Sequence, residues 1–201
     1  MAARLQECSD QELARQSQDG SLTAFEELVC RYEGRVYGFV ANFCRNGADA
    51  AEITQDTFVR AFQAMPRFDC RRAFAPWLFT IARSKCIDHH RRMPPAAMEP
   101  LPEMADEQTP AELLAQREAS RDLWALARRS LPETQFQALW LRYVEELDME
   151  GIGQALGKTQ THVKVLLFRA RQALARQIEA APEKEYYDVM VRKGEAVPGP
   201  G

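Results

Sequence analysis

The sequence has little that would place the protein in a membrane or outside the cell. Its longest stretch without a charged residue, residues 73–82, has ten residues, whereas a membrane-spanning helix needs about 20 apolar ones. Residues 1–10 contain neither an apolar core nor a small-residue cleavage site, so no secretory signal is expected. The five cysteines are odd in number and lack CxxC spacing, which favours a reducing compartment over a disulfide framework. We therefore predict a cytoplasmic protein that does not insert into a membrane.

Catalytic motifs are also missing. The sequence contains no HExxH, P-loop, GxSxG or GxGxxG motif. Cys86, His89 and His90 are close in sequence, but adjacent histidines point about 100° apart on a helix and do not converge easily on one metal ion. We expect no enzyme activity, no catalytic residue, no metal and no cofactor. For the cysteines we expect buried structural roles, with a redox-sensing Cys70 beside Arg71 as the alternative.

The sequence does have an uneven distribution of charge. Of the 201 residues 46% are hydrophobic and 27% are charged, and the net charge is −3, which is an ordinary globular composition. Residues 60–92 carry eight Lys or Arg against two acids, and residues 157–177 carry five and no acid. Between them, residues 93–122 carry seven acids and two arginines. Two basic segments around an acidic one indicate a negatively charged partner, although solvated helix faces would explain either cluster alone.

A proline-rich stretch divides the chain. Five of the eleven prolines lie within residues 94–110, among acids and small residues. Proline removes backbone donors and disfavours helix, so we predict a flexible, acidic, proline-rich linker over residues 93–110. The flanking segments lack the apolar–polar alternation that is typical of strands. We predict an all-α fold with two small helical domains, 1–92 and 111–180, followed by a flexible tail at 181–201.

The first domain is expected to contain three helices. Residues 19–21 are expected to cap the first helix, and the glycine of Asn46–Gly47 to end it. Asp49 is expected to cap the second helix, and the third begins near Pro76 and ends with residues 88–92. The apolar side of the second helix is predicted to consist of Ile53, Phe58, Ala61, Phe62 and Met65.

The second domain contains the strongest local motif, a helix-turn-helix. Helices are predicted over residues 111–129, 132–144 and 149–156, and from Thr159 to about residue 180. Gly157 opens a tight turn between the last two, and Thr159 caps the final helix. The inner faces of these two helices are expected to pack through Ile152, Ala155 and Leu156 against Val163, Leu167 and Ala170.

The outer face of the final helix is predicted to bind duplex DNA, because the second helix of this motif enters the major groove. Glutamine reads adenine, lysine reads guanine or contacts phosphate, and an apolar side chain touches the methyl group of thymine. The predicted contact residues are Thr159, Gln160, Thr161, Lys164, Val165, Phe168, Arg169 and Arg171.

Aromatic and basic residues are interleaved over residues 66–92. Unpaired bases stack on aromatic rings with about 1–3 kcal/mol per base, while cations follow the phosphates. Trp77 and Phe79 are expected to lie mostly in the core. The loop from Phe68 to Arg72 is expected to contact bases.

Taken together, these motifs resemble two regions of bacterial sigma factors. Those that resemble region 2 are AFEEL (24–28), RY (31–32), RVY (35–37), DAAEITQDTFVRAF (49–62), FD (68–69), WL (77–78), IAR (81–83) and DHHRR (88–92). Those that resemble region 4 are LP (131–132), LRY (141–143) and the helix-turn-helix that ends in RAR (169–171). A chain with only these two regions and a linker resembles the extracytoplasmic-function, or group IV, class.

The resemblance implies a function, a set of partners and two further sets of residues. The protein would bind core RNA polymerase, recognise the −10 and −35 elements of promoter DNA and nucleate promoter opening, and an anti-sigma factor would regulate it. The residues implied in docking on the clamp helices of the polymerase are Asp49, Glu52, Gln55, Asp56 and Arg60. Those implied in −10 recognition are Phe68, Asp69, Arg71, Arg72, Arg83, Lys85, His89, Arg91 and Arg92. The outer face of the final helix would read the −35 element.

The sequence departs from the resemblance at four positions. Val165 and Leu166 stand where relatives usually have a small polar residue and a basic one, which predicts weaker or altered −35 recognition. Gly151 and Gly153 lie inside a helix, where each costs about 1 kcal/mol relative to alanine. Region 4 is therefore expected to be less stable than usual.

Two other classes of function remain as alternatives. The same helix-turn-helix would serve a two-domain DNA-binding regulator that does not direct polymerase. A pure interaction protein, with incidental charge, is the other. Binding to core polymerase separates the sigma-factor interpretation from both.

Overall fold

The structure, a computed structural model, describes residues 5–44, 46–92 and 111–179, with no description of the side chains at 111–120 and 179. All regular structure within these ranges is helical, which confirms the predicted all-α fold. The predicted linker and the predicted tail lie outside the described residues.

The backbone groups into two units, Met1–Pro102 and Glu103–Gly201. The helices of the first unit are α1 (Asp10–Gln18), α2 (Leu22–Ala41), α3 (Gly47–Ala64) and α4 (Phe74–Arg92), with a 3₁₀ turn at Met65–Arg67. Those of the second unit are α5 (Ala111–Ser130), α6 (Glu133–Tyr143), α7 (Met149–Leu156) and α8 (Gln160–Glu179). The helices predicted for the second unit agree with these to within one residue at each end, and 149–156 matches α7 fully.

Helix α1 was not among the predicted elements. Ser9 caps it through a reciprocal capping box, in which the amide of Ser9 donates to Glu12 Oε2 at 2.8 Å and the amide of Glu12 donates to Ser9 Oγ at 3.3 Å. Arg31 of α2 holds the first turn through its ion pair with Asp10 at 3.0 Å. The spacing Ser9-x-x-Glu12 is a recognisable helix start, so the sequence did carry this signal.

The start of α3 corrects the predicted caps. Helix α2 ends at Ala41, and Asn46 is the N-cap of α3, because its side chain accepts a hydrogen bond from the amide of Asp49 at 2.8 Å. Gly47 is the first residue of α3 and does not end α2, and Asp49 lies within the first turn. Asparagine caps helices as well as aspartate does. A Cβ at position 47 would lie 3.3 Å from the hydroxyl of Tyr37, which makes glycine a good fit there.

The core of the first unit is rich in aromatic rings. Phe39 and Phe79 are fully buried, with ring centroids 5.4 Å apart, which confirms the prediction for Phe79. Trp77 is only partly buried and contacts Phe74 at 5.5 Å. Phe62, which was predicted to face the core, is 45% exposed although its ring meets Phe25 edge-on at 5.0 Å. Helix α3 therefore presents part of its apolar surface to solvent.

The second unit is built around three rings on α5 and α6. Trp124, Phe136 and Trp140 are buried, and their ring centroids lie 5.1–6.0 Å apart. Helices α7 and α8 pack against α6. One side of α8 therefore packs against the other helices of the unit.

No helix among the described residues is both long enough and apolar enough to cross a bilayer.

Candidate nucleic-acid interfaces and partner surface

The turn between α7 and α8 has the geometry of a helix-turn-helix. Gly157 adopts the left-handed conformation (φ 64°, ψ 42°) and ends α7, and the amide of Lys158 donates to the carbonyl of Gly153 at 2.8 Å. Thr159 caps α8 by accepting the amide of His162 at 3.2 Å. The predicted roles of Gly157 and Thr159 in this turn are confirmed.

Gly153 has a steric role that the sequence analysis missed. A Cβ at this position would lie 2.7 Å from the carbonyl oxygen of Lys158, closer than real Cβ atoms approach backbone. Glycine therefore permits the turn to fold tightly against α7. This contact opposes the expectation that Gly153 weakens this unit, which considered helix propensity without the neighbouring backbone.

The inner faces of α7 and α8 pack as predicted. The six side chains named for this contact are at most 3% exposed: Ile152, Ala155, Leu156, Val163, Leu167 and Ala170. Leu166 is also buried, at 7% exposed. Because Leu166 faces the core, Val165 is the departure that changes the outer face of α8.

The outer face of α8 brings the predicted −35 residues together. Thr159, Gln160, Thr161, Lys164, Val165, Phe168 and Arg169 are exposed, and Arg171 is half-buried. Residues 157–177 contain five cations and no acid. Up to residue 177 the helix therefore presents a positive surface without acidic side chains to neutralise it, which suits a polyanion.

The loop between the 3₁₀ turn and α4 holds two exposed arginines around one carboxylate. Asp69 Oδ1 lies 3.0 Å from Arg71 Nε, and Asp69 Oδ2 lies 3.8 Å from Arg72 Nε. The hydrogen bond from the Arg71 side chain is the main cause that lowers the pKa of Asp69. Asp69 thus orients the two cations, while both guanidinium groups stay open to solvent.

Phe68 belongs to the core of this loop. It is 6% exposed, and its ring lies 4.5 Å from that of Trp77 and 5.9 Å from that of Phe74. Its ring is not available to a base in this structure, contrary to the prediction. Exposing the apolar surface of a phenylalanine to water is unfavourable, and α4 supplies two aromatic rings against which Phe68 can be buried. The ring therefore turns inward.

Gln18 anchors the loop and was missed by the sequence analysis. Its amide nitrogen donates to the carbonyl oxygens of Met65 at 2.8 Å and Phe68 at 2.7 Å. Its amide oxygen accepts a hydrogen bond from the thiol of Cys70 at 3.1 Å. About 50 residues separate Gln18 from these partners, so no local pattern reveals the contact.

Two contacts between α3 and α4 involve predicted site residues. His89 Nε2 lies 3.4 Å from Asp49 Oδ2, and the two side chains are 19% and 15% exposed. Asp49 therefore lies at the contact between the helices, not on the outer face of α3, and His89 is turned toward it. Lys85 Nζ pairs with Asp56 Oδ2 at 3.1 Å on the exposed surface.

The remaining predicted residues of α4 differ in exposure. Arg91 and Arg92 are exposed at its C-terminal end, and Arg83 is half-buried.

In the part of the chain that the structure describes, no three His, Cys, Asp or Glu side chains converge as metal ligands.

The outer face of α3 is mixed in character. The polar residues predicted there, Glu52, Gln55, Asp56 and Arg60, are all exposed. Val59, at 49% exposed, and Phe62 lie among them. This apolar part was not predicted, because Phe62 was assigned to the core. Val59 and Phe62 follow Gln55 at i+4 and i+7, and this spacing was the available signal.

Thiol reactivity provides a test of the loop geometry. Burial raises the pKa of Cys70, and burial together with the nearby Asp49 charge raises that of Cys44 to about 12. At pH 8 we expect iodoacetamide to modify exposed Cys30 rapidly, and Cys44 and Cys70 only on unfolding. Peptide mass spectrometry over time measures each site. Native alkylation of Cys70 at the rate of Cys30 would contradict this geometry and revive the redox alternative.

Comparisons with known protein families match both units. The family model described as Sigma-70 region 2 matches residues 28–93. The model described as Sigma-70, region 4 matches residues 125–174. The second match includes α7, the turn and α8 up to residue 174.

Curated relatives match most of the chain. The ECF RNA polymerase sigma factor SigW of Bacillus subtilis (strain 168) is 28% identical over 176 residues, covering 82% of this chain and 94% of the relative. The ECF RNA polymerase sigma-E factor of Escherichia coli (strain K12) is 26% identical over 186 residues, covering 87% and 96%.

Two solved structures are similar to the fold. CnrH, solved in complex with the cytosolic domain of CnrY, is 26% identical with a TM-score of 0.63, and the match covers 85% of this chain and 97% of CnrH. The sigma factor RpoE from Bartonella quintana, solved in complex with the anti-sigma factor NepR, is 18% identical with a TM-score of 0.58, covering 79% and 98%.

Proposed function

The chain belongs to the extracytoplasmic-function class of the sigma-70 family, which directs promoter-specific transcription initiation by RNA polymerase, and we propose that its two units divide this work. The first domain, residues 1–92, binds core polymerase and recognises and opens the −10 element. The second, residues 111–180, reads the −35 element as duplex, and residues 93–110 link them. The sigma-70 family is not a family of enzymes. The proposed place of action is the cytoplasm, where bacterial RNA polymerase transcribes.

The observation that carries this proposal is the outer face of α8. A helix held by a tight turn on one side and exposed on the other is the part of a helix-turn-helix that enters the major groove. Its cations are free of neighbouring acids along residues 157–177. Lys164 and Arg169 lie on opposite sides of this face and are both exposed, so each is placed to reach a phosphate.

The double variant Lys164→Ala/Arg169→Ala tests the −35 surface. We expect holoenzyme containing it to bind promoter DNA more weakly and with a shallower dependence on salt. Two lost phosphate contacts reduce the slope of log K against log salt by about 1.8. Fluorescence anisotropy across a salt series measures both quantities. The matched control is Arg176→Ala, about two turns beyond Arg169 along α8. An unchanged slope in the double variant would rule out this face.

For the −10 element we propose that exposed cations of the first unit, not Phe68, make the first contacts. Arg71 and Arg72 project from a loop that is fixed by Asp69 and Gln18, while Arg91 and Arg92 extend from the end of α4. Half-buried Arg83 and Lys85 lie between them along α4. Capturing a flipped base costs a few kcal/mol of unstacking, which contacts in a pocket must offset.

For the polymerase we propose the outer face of α3 as the docking surface. Glu52, Gln55, Asp56 and Arg60 supply polar contacts, and Val59 and Phe62 supply apolar ones. A centre of apolar side chains with a polar rim is the usual composition of a protein interface. Asp49 contributes indirectly through its contact with His89 between α3 and α4.

We also propose a protein regulator, an anti-sigma factor. The support is the similarity to CnrH, whose structure contains the cytosolic domain of CnrY. A regulator that covers the outer face of α3 would block polymerase binding. Competition between such a partner and core polymerase for the labelled protein would test this.

The experiment that tests the function is run-off transcription by purified core polymerase over a pool of bacterial promoters, with and without this protein. We expect protein-dependent initiation at discrete start sites with two shared upstream elements. Duplex binding without initiation would favour the DNA-binding regulator instead. Absence of both initiation and DNA binding would favour the pure interaction protein.

A further inference from the structure

Two apolar side chains occupy the middle of the DNA-facing surface of α8. Val165 is 39% exposed and Phe168 is 55% exposed, and they lie three residues apart, one turn along the helix. We call these two residues the apolar stripe. Their positions are nearly opposite the buried residues Val163, Leu167 and Ala170, at about 100° per residue. The stripe therefore points directly away from the domain core.

Polar and basic side chains flank the stripe on both sides. Lys164 and Arg171 lie along one edge, and His162 and Arg169 lie along the other. When a helix with this pattern enters a major groove, the flanks face the two phosphate backbones and the centre faces the base edges. The charge on both flanks selects nucleic acid over an apolar protein as the occupant of this face.

At the base edges, an apolar side chain has one suitable partner. The 5-methyl group of thymine is the apolar group among those that the four base pairs present in the major groove. A valine at a base edge makes no hydrogen bond, so it distinguishes bases only through this methyl group. It also penalises a cytosine or adenine, whose exocyclic amine would lose its hydrogen bond to water.

Resting on the proposed −35 function of α8, we propose that the apolar stripe recognises thymine methyl groups in the −35 duplex, with Val165 as a specificity-determining residue. Val165 is 39% exposed and lies between Lys164 and Arg169 on the DNA-facing surface, which places it toward the base edges. Leu166 has no part in this, because it is buried in the core of the second unit.

The test removes single methyl groups from the DNA without changing its base pairing. In a promoter identified by run-off transcription, each thymine of the −35 element is replaced in turn by deoxyuridine. Binding of the reconstituted holoenzyme is then measured by anisotropy. We expect at least one replacement to weaken binding about fourfold, the effect of one buried methyl group. Deoxyuridine placed outside both elements is the control and is expected to have no effect.

The variant Val165→Ser assigns the effect to the stripe. Because the side chain is exposed, the substitution is expected to leave the fold intact, which circular dichroism checks. With this variant, thymine and deoxyuridine at the sensitive position are expected to bind equally. If the Val165→Ser variant still binds deoxyuridine at the sensitive position more weakly than thymine, the assignment to Val165 is overturned.

Other outcomes separate this inference from the function on which it rests. Promoter-specific binding with no deoxyuridine effect in the wild type would overturn the inference and leave the function standing. A −35 element without thymine would do the same. Failure of the holoenzyme to bind any promoter specifically would overturn both.

Discussion

Replacing Asp56 with arginine is expected to lower the affinity for core RNA polymerase by more than about tenfold. We propose that Asp56 makes a favourable polar contact in the docking surface, and reversing its charge would turn that contact into a repulsion that costs several kcal/mol. The Asp56 side chain is 55% exposed on the outer face of α3, next to Gln55 and among Glu52, Val59 and Phe62. It belongs to the polar part of this mixed face, on the side where it pairs with Lys85 of α4. A charge reversal there opposes docking more strongly than the loss of the carboxylate alone would.

The same substitution is expected to leave the first unit folded. It removes the exposed pair with Lys85, and exposed ion pairs contribute at most about 1 kcal/mol. Affinity is measured with fluorescently labelled protein and purified core enzyme. Glu33→Arg is the matched control, because it makes the same charge change at an exposed position of α2. Equal affinities for the Asp56 variant and the wild type would remove α3 as the docking surface.

Replacing Gly153 with alanine is expected to destabilise the second unit by about 1–3 kcal/mol. The new methyl group would lie 2.7 Å from the carbonyl oxygen of Lys158. This atom is backbone, and the amide of the same residue donates to the carbonyl of Gly153. The turn must therefore move, and the gain in helix propensity, about 1 kcal/mol, does not offset the strain.

Urea unfolding of the full chain measures this loss. Trp124 and Trp140 report on the second unit through their fluorescence, since both are buried there. Gly34→Ala is the matched control: Gly34 lies within α2, and a Cβ there would have nothing within 4 Å. That variant is expected to be as stable as the wild type or more stable by up to about 1 kcal/mol. Equal changes in the free energy of unfolding for Gly153→Ala and Gly34→Ala would show that helix propensity alone determines the effect of the substitution.

The Gly153→Ala substitution is also expected to affect function, even if it lowers the free energy of unfolding only slightly. The turn sets the angle at which α8 leaves α7, so a shifted turn changes how the outer face meets DNA. We therefore expect holoenzyme containing the Gly153→Ala variant to bind the −35 element more weakly, whatever the urea midpoint at which the variant unfolds.

Most of the helical architecture was predictable from the sequence because its signals are local. Apolar periodicity located the helices of the second unit to within one residue, and Gly157 and Thr159 marked the turn. Such features depend on residues three or four positions apart, which a single sequence displays. The missed helix α1 had the same kind of signal, in Ser9 and Glu12.

Caps and single site residues were less predictable because neighbouring candidates have similar local preferences. Asn46 and Asp49 are both good caps, and the backbone conformation before α3 selected Asn46. Phe62 and Phe68 have equal reason to be buried, yet Phe68 has two aromatic partners from α4 while Phe62 remains 45% exposed.

The sequence by itself determined the all-helical fold, the helix-turn-helix and the basic outer face of α8, since each follows from spacing along a continuous segment. Only the tertiary structure decided that Phe68 is buried against α4, that Gln18 anchors the loop beside it and that a Cβ at Gly153 would clash with the turn. The physical reason is the same in the three cases. Burial and close contact depend on atoms from distant segments, and those atoms become neighbours only when the helices pack.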